Sequence, residues 1–268
     1  MTTPAEQAAA IIQSHCGAET IESALMLGRI FYGAADVGER LATIPYAELP
    51  GFPTGEDLED AELIIANVEG TLTAILKGRS TFHETGDPST MASAIETLSL
   101  LGVRNLLCTG LALSVLADLL PGNIVAVTDH INFTGLNPLI GASGGAKTMI
   151  NMNEAYDRRL LRRVKAAAAG SGVSVHEGVM MWFSGPSFET PAEAKVARQL
   201  GADLIGWTIV PECILARRFG VAFVGLTVVT DFGAGFSTGN PSADLTRGPA
   251  AAGVVATKRL IRAFLKSR

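Results

Sequence analysis

Two acidic and two aromatic side chains stand at the ends of predicted strands in the second half of the chain. Phe188 and Glu189 follow the apolar residues 174–183, Trp207 follows a short apolar segment, and Asp231 ends another. Carboxylates accept hydrogen bonds from ring N–H and amino groups, and aromatic rings cover the face of a planar ligand. Open α/β sheets bind ligands outside the carboxyl ends of their strands. The pattern therefore predicts a site for a planar nitrogen heterocycle at one sheet edge.

Strands and helices alternate along most of the chain, which is typical of an α/β fold. Apolar strands are predicted over residues 23–27, 62–68, 72–76, 104–109, 123–128, 174–183 and 221–230, with a short strand within 201–206. Helices are predicted over residues 5–16, 87–101, 154–169, 191–200 and 211–218, and from 246 or 249 to 266. No internal repeat or interdomain linker is present, so we expect a single domain, residues 1–268.

Composition excludes several classes of function. The chain has 268 residues, is 48% hydrophobic and has a net charge of −5, so we expect no nucleic-acid or membrane partner. The basic residues within 158–165 lie on one predicted helix and are expected to form a solvated face. Cys16, Cys108 and Cys213 are far apart, and no signal peptide is read at the first residues. These features predict reduced thiols, no metal site and a cytoplasmic protein.

Three sequence blocks resemble purine nucleoside phosphorylases of the trimeric type and the related methylthioadenosine phosphorylases. They are residues 129–141 (DHINFTGLNPLIG), residues 153–157 (NEAYD) and residues 185–231, in the family's order and approximate spacing. The resemblance implies a central mixed twisted sheet flanked by helices and a homotrimer. It also implies a pentosyltransferase without a cofactor, in which phosphate attacks the sugar of a purine nucleoside through an oxocarbenium-like transition state while the base leaves.

The resemblance assigns the base half of the site to Phe188, Glu189 and Asp231. Glu189 would accept a hydrogen bond from ring N1–H and, where present, from a 2-amino group. Asp231 would face N7 and the 6-substituent, either as a protonated general acid or as an ionised acceptor. Glu189 suits 6-oxopurines whereas Asp231 resembles the 6-aminopurine branch, so the base stays open. The alternatives are a helix-start carboxylate for Glu189 and a turn-forming aspartate for Asp231.

The resemblance also implies three contacts with the sugar. His83 stands where the family has a tyrosine, and Trp207 replaces a residue that is usually methionine. Met149 lies in a region that reaches the sugar site of a neighbouring subunit in the resembled trimers. The alternative interpretations are an exposed loop histidine for His83 and core packing for Trp207 and Met149.

The phosphate half departs furthest from the family pattern. Arg79 matches the phosphate arginine and Thr208 a phosphate hydroxyl, whereas Thr81 stands in place of a histidine. Arg29 replaces the serine of a glycine-rich phosphate turn, and the bulky residues 30–32 follow it. Arg29 is therefore expected either to enter the anion site or to remain solvated while the aromatic residues after it pack in the core.

Three functions follow from this mixture. The first is a purine nucleoside phosphorylase with a rearranged phosphate site that uses Arg29 and Arg79. The second is an N-glycosidic enzyme that uses water or another acceptor. The third is a non-catalytic purine-binding paralogue. Residues 141–148 do not meet the P-loop pattern and are expected to form a surface loop, as are residues 232–245.

Overall fold

A computed structural model describes residues 2–17, 20–142, 149–236 and 248–267. The predicted loops therefore lie in part outside the described residues, namely at 143–148 and 237–247. The strands are β1 (Ser23–Leu27), β2 (Glu39–Pro45), β3 (Glu62–Val68), β4 (Thr71–Lys77), β5 (Asn105–Ser114), β6 (Ile124–Asn132), β7 (His176–Trp182), β8 (Leu204–Gly206) and β9 (Ala222–Phe232). The α-helices are α1 (Pro4–Cys16), α2 (Phe82–Thr85), α3 (Ala92–Leu100), α4 (Arg158–Ser171), α5 (Pro191–Gln199), α6 (Val210–Arg218) and α7 (Gly248–Lys266).

All of these strands belong to one mixed sheet, which confirms the predicted α/β class. The strand order is β2-β3-β4-β1-β5-β8-β7-β6-β9, and β9 also pairs with β5. The strands from β5 to β9 thus close on themselves, whereas β2, β3, β4 and β1 extend the sheet as an open wing. Closure removes an unpaired strand edge from this part of the sheet. Strand β5 pairs in parallel with β1 and β9 and antiparallel with β8.

Helices cover the apolar faces of the sheet in pairs. Helix α1 packs on α3, α4 packs on α7, and both α6 and α7 contact β9. Local signals set the helix ends: a Thr3–Glu6 capping box opens α1, and Gly17 in the left-handed region closes it. A Thr190–Glu193 capping box opens α5 at the predicted Pro191. Among the described residues, no helix is long and apolar enough to cross a membrane.

Two predicted helices begin later than expected because side chains before them form turns. The Asp87 carboxylate accepts hydrogen bonds from the Ser89 backbone N–H and hydroxyl, so the turn continues and α3 begins only at Ala92. Glu154 adopts a left-handed φ of 55°, which interrupts any helix there. Helix α4 begins at Arg158 instead, where Asp157 caps it by accepting from the Leu160 N–H.

Two strands run at least four residues beyond their predicted ends, and one strand and one α-helix were not predicted. Residues 110–114 and 129–132 were expected to follow strands, but they continue β5 and β6. Pairing with β8 and β7 extends them, because these partners supply backbone hydrogen bonds that local sequence does not reveal. The unpredicted elements are β2, which pairs with β3, and the single-turn helix α2.

Helix α7 approaches the turn before β6 so closely that only glycine fits at one point of contact. A Cβ at Gly253 would lie 2.5 Å from the Gly122 carbonyl oxygen and 2.8 Å from a Val228 side-chain carbon. We therefore expect Gly253→Ala to lower the free energy of unfolding by about 1–3 kcal/mol, measured by urea unfolding. The clash outweighs the roughly 1 kcal/mol by which alanine is the better helix former.

A matched control is Gly170→Ala near the end of α4. A Cβ there would meet nothing within 4 Å, so helix propensity acts alone. We expect this variant to be more stable than the wild type by about 0.5–1 kcal/mol. Equal stabilisation of both variants would show that α7 can move away from the turn without cost.

Candidate active site

A cavity of about 290 Å³ opens at the carboxyl ends of β5, β8 and β9. The residues that line it are Arg79, Thr81, His83, Leu111, Ala112, Leu113, Phe188, Glu189, Ile205, Gly206, Trp207, Thr208 and Thr230. Seven of the candidate site residues are therefore brought together: Arg79, Thr81, His83, Phe188, Glu189, Trp207 and Thr208. Three others, Arg29, Met149 and Asp231, do not line this cavity.

One side of the cavity is built around a buried carboxylate. Glu189 is only 5% exposed, and its Oε1 accepts a hydrogen bond of 2.9 Å from Trp207 Nε1. Its Oε2 is buried without a hydrogen-bond partner among the described residues. Glu189 does not cap α5, because Thr190 and Glu193 form that cap between themselves. The carboxylate is therefore not committed to the helix cap, and Glu189 lines the cavity.

Burial changes the protonation of this carboxyl. Desolvation raises the pKa of Glu189 above its ordinary value of 4.5, and the hydrogen bond from Trp207 opposes part of that rise. In the described residues no lysine or arginine forms an ion pair with Glu189. The indole N–H is thus the main stabilising contact of the ionised form.

Three rings form an aromatic wall next to the carboxylate. The ring centroids of His83 and Phe188 each lie 5.3 Å from that of Trp207. Gly185 makes room for the indole, since a Cβ there would lie 3.0 Å from a carbon of Trp207. Flat surfaces beside a hydrogen-bond acceptor suit a planar heterocycle.

Trp207 and Thr208 reach the cavity because of a strained turn before α6. Ile209 has a φ of 78°, which is rare for a β-branched residue. Its side chain is fully buried, and a Cβ at Gly110 or Gly225 would lie 3.0 Å or less from it. Space left by these two glycines therefore lets the isoleucine anchor the turn. Strain of this kind is typical of functional sites.

The other side of the cavity contains a buried arginine whose charge is balanced by a glutamate. Arg79 Nη1 donates to the Thr109 carbonyl oxygen and lies 3.3 Å from Cys108 Sγ. Arg79 Nε lies 3.5 Å from Glu212 Oε1, and both side chains are less than a tenth exposed. Burial raises the pKa of Cys108 to about 12, so its thiol is a neutral neighbour. Glu212 is the counter-charge that permits a buried guanidinium.

The segment after β1 does not form an anion-binding turn, and the hypothesis for Arg29 is corrected. Residues Arg29–Ala34 form a 3₁₀-helix in which Phe31 is buried. The Arg29 side chain is 69% exposed and pairs with Asp57 at 3.6 Å, away from the cavity. The Gly28 N–H donates to Thr109 Oγ1 at 3.1 Å. Burial of Phe31 therefore turns Arg29 outward into solvent.

Two hydroxyls complete the polar lining on this side. Thr81 Oγ1 lies 3.0 Å from His83 Nδ1, and the Glu84 carboxylate accepts from the Thr81 N–H at 2.7 Å. Thr208 lies against β5, where a Cβ at Gly110 would be 3.0 Å from its hydroxyl oxygen. Both hydroxyls can donate to a ligand, but neither changes charge near neutral pH.

A β-bulge at the end of β9 corrects the placement of Asp231. Ala112 pairs with Val229, but Leu113 pairs with Asp231, so Thr230 is the extra residue. Thr230 consequently lines the cavity, whereas Asp231 Oδ1 accepts from the Phe232 backbone N–H at 2.8 Å. Thr230 is a lining residue that sequence reasoning missed, because a register shift between distant strands leaves no local signal.

Met149 lies on a different surface of the molecule. It is 86% exposed and lines a second groove together with His130, Asn132, Asn137, Leu139, Ile140, Ile150, Met152 and Ile214. A sugar contact by Met149 would therefore have to be made in the cavity of another subunit. Within the part of the chain that the structure describes, no cluster of three or more His, Cys, Asp or Glu residues could hold a metal ion.

Comparisons with known proteins agree with this geometry. The family described as "Phosphorylase superfamily" matches residues 30–266. Over 214 residues the chain is 34% identical to purine nucleoside phosphorylase 1 of Geobacillus stearothermophilus, covering 79% of this chain and 78% of that protein. A Schistosoma purine nucleoside phosphorylase in complex with guanosine superposes with a TM-score of 0.86 at 26% identity, covering 98% of this chain and 96% of that one. A purine nucleoside phosphorylase in complex with ribose-1-phosphate gives a TM-score of 0.83 at 26% identity, over 99% and 98% of the two chains.

The raised pKa of Glu189 predicts a pH dependence of stability. The folded protein holds this proton to a higher pH than the unfolded chain, whose glutamate titrates near 4.5. The free energy of unfolding contributed by this group therefore falls as pH rises from about 4.5 through the folded-state pKa. Glu189→Gln keeps an acceptor for Trp207 but does not titrate. We expect wild-type stability, relative to this variant, to decrease over that range in urea unfolding.

Glu193→Gln serves as the opposite control. Hydrogen bonds from the backbone and side chain of Thr190 lower the pKa of Glu193. Its stabilisation is therefore present above the unfolded-state pKa and lost as pH falls. If the difference in free energy of unfolding between the wild type and Glu189→Gln stays constant with pH, burial does not shift the pKa of Glu189.

Proposed function

The chain belongs to the phosphorylase superfamily, and from that premise we propose that it is a pentosyltransferase that cleaves the N-glycosidic bond of purine nucleosides with phosphate. The observation that carries this proposal is one cavity lined by the buried Glu189 carboxylate and the buried Arg79 guanidinium. A carboxylate suits the N–H donors of a purine, and a guanidinium suits phosphate oxygens. Relatives named purine nucleoside phosphorylase support the same reaction.

In the proposed reaction each half of the cavity handles one side of the breaking bond. A phosphate oxygen forms a bond to the sugar C1′, and the C1′–N9 bond breaks with its electron pair passing to the purine, which gains the proton that the phosphate loses. Ionised Glu189 accepts from the purine N1–H, and the rings of Phe188 and Trp207 cover the base. Arg79, with the hydroxyls of Thr81 and Thr208, holds the phosphate next to the sugar. The reaction requires no further cofactor.

A second candidate, cleavage with water as the acceptor, has one specific observation in its favour. Among the described residues that line the cavity, Arg79 is the one lysine or arginine, and Glu212 already neutralises it. A site with little net positive charge attracts a phosphate dianion weakly. Water needs no such charge, so the neutralised Arg79 favours water over phosphate as the acceptor in this second candidate.

We further propose a cytoplasmic homotrimer whose chain, residues 1–268, forms a single domain. The one sheet that all described strands share supports the single domain. Ile140 and Met149 support the assembly, because they are 73% and 86% exposed and line the same groove. Exposed apolar side chains of this size mark interaction surfaces when they lie together. In such a trimer Met149 would be presented to a neighbouring chain.

The test of the reaction is the release of free base from purine nucleosides with and without phosphate, followed by chromatography. We expect release to require phosphate. Arg79→Lys retains the charge but loses the planar fork, so the KM for phosphate should rise about tenfold to hundredfold. The matched control is Arg29→Ala, which removes an exposed arginine away from the cavity and should leave the KM for phosphate unchanged.

The other outcomes of this assay select the alternatives. Equal rates of base release with and without phosphate would show that the reaction is hydrolysis and not phosphorolysis. Binding of free bases without release from any nucleoside would identify a purine-binding protein that lacks the reaction.

The assembly is tested by the mass of the protein in solution, measured by light scattering during gel filtration. We expect the mass of three chains for the wild type and a smaller species for Ile140→Asp, because a buried charge in the groove disfavours association. Leu120→Asp alters an exposed leucine outside that groove and should remain trimeric. A monomeric wild type would contradict the proposal.

A further inference from the structure

We propose that Trp207 makes the base site selective for 6-oxopurine nucleosides without a 2-amino group, such as inosine, over those that carry one, such as guanosine. The inference rests on the proposed function, because it concerns which nucleosides the same cavity accepts. It assigns Trp207 a role in specificity that goes beyond covering the ligand.

The inference begins with the two oxygens of Glu189. Trp207 Nε1 donates to Oε1 at 2.9 Å, and Oε2 has no partner among the described residues. Both residues line the cavity, so the indole and a ligand bound there would share one carboxylate. Oε2 is the one Glu189 oxygen without a protein donor among the described residues, and it is buried, whereas without the indole both oxygens would lack a donor.

The second step is the number of donors on the ligand. The N1–H of a 6-oxopurine is a single donor, which matches the single unpaired oxygen. A 2-amino group adds another N–H beside it on the same edge of the ring. Paired donors of this kind are best bound by the two oxygens of one carboxylate in parallel. Trp207 already donates to Oε1, so a second ligand donor would have to share that oxygen with the indole N–H.

The competition for Oε1 weakens binding of the 2-amino purine whether the indole stays in place or moves away. When the indole stays, the amino group must share Oε1 with the indole N–H, which weakens both hydrogen bonds. When the indole leaves, its own N–H loses the Glu189 oxygen. The neighbours of the indole are the rings of His83 and Phe188, which lie in edge or tilted contact with it. We expect a preference of about tenfold for inosine.

The position of the indole is set by its surroundings. Gly185 lies against the ring, where a Cβ would be 3.0 Å from an indole carbon. His83 and Phe188 pack against the same ring. Packing of this kind fixes a hydrogen-bond donor in one direction, which selectivity requires.

The first experiment compares kcat/KM for inosine and guanosine in the wild type and in Trp207→Phe. Phenylalanine keeps an aromatic ring but has no N–H, so Glu189 Oε1 becomes free. We expect the wild type to prefer inosine by about tenfold and the variant to lose most of that preference. Equal use of both nucleosides by the wild type, or an unchanged preference in the variant, would overturn the proposal.

The chain offers a matched control in its other tryptophan. It contains two tryptophans, and Trp182 Nε1 donates to the Trp207 backbone carbonyl and not to Glu189. Trp182→Phe removes an indole N–H of the same kind while the Glu189–Trp207 bond remains. We expect this variant to keep the wild-type ratio of inosine to guanosine. If Trp182→Phe also loses the preference for inosine, the preference depends on the general packing of the site and not on the Trp207 N–H.

A second measurement separates this inference from the proposed function. Calorimetric titration of wild type and Trp207→Phe with hypoxanthine and with guanine needs no turnover. We expect the wild type to bind hypoxanthine about tenfold more tightly than guanine and the variant to bind them alike. Absence of turnover together with this binding pattern would refute the reaction and support the role of Trp207. Binding of neither base, or equal binding of both by the wild type, would refute that role.

Discussion

The pairing of strand β5 with three neighbours is the constraint on which the rest of the site depends. Its first half lies between β1 and β9, and its last two residues also pair with β8. The backbone hydrogen bonds of these ladders leave no freedom in where each strand ends. The cavity lies at those ends, so its lining follows from register. At the register shift between β5 and β9, Thr230 lines the cavity and Asp231 does not.

The cavity combines two buried charges that are stabilised in different ways. Glu189 lies on one side of the cavity, where an indole N–H supports its ionised form and no lysine or arginine of the described residues pairs with it. Arg79 lies on the other side, where Glu212 balances it and the Thr109 carbonyl accepts from it. Both arrangements avoid an isolated buried ion, which would be very unfavourable. The Arg79 and Glu212 charges offset each other, and Glu189 keeps one buried oxygen without a protein donor among the described residues.

Much of the fold and most of the candidate site could be predicted from the sequence. Strand β1 and the hairpin of β3 and β4 follow from short apolar runs, and α5 follows from Pro191 and the cap before it. The resemblance to nucleoside phosphorylases placed Glu189, Phe188 and Arg79, which the structure brings into one cavity. Predictions failed where a local turn precedes a helix, as the Asp87 side chain forms before α3 and the left-handed Glu154 backbone forms before α4.

The sequence by itself determined the α/β class, the order of the elements and the residue types available at the strand ends. These depend on periodicity, caps and glycines, which act between residues close in the chain. Only the tertiary structure decided that Arg29 faces solvent, that Thr230 replaces Asp231 in the cavity, and that Trp207 occupies one oxygen of Glu189. Each of these outcomes depends on packing, register or a hydrogen bond between segments that meet only after folding, because burial and partner choice are properties of the folded chain.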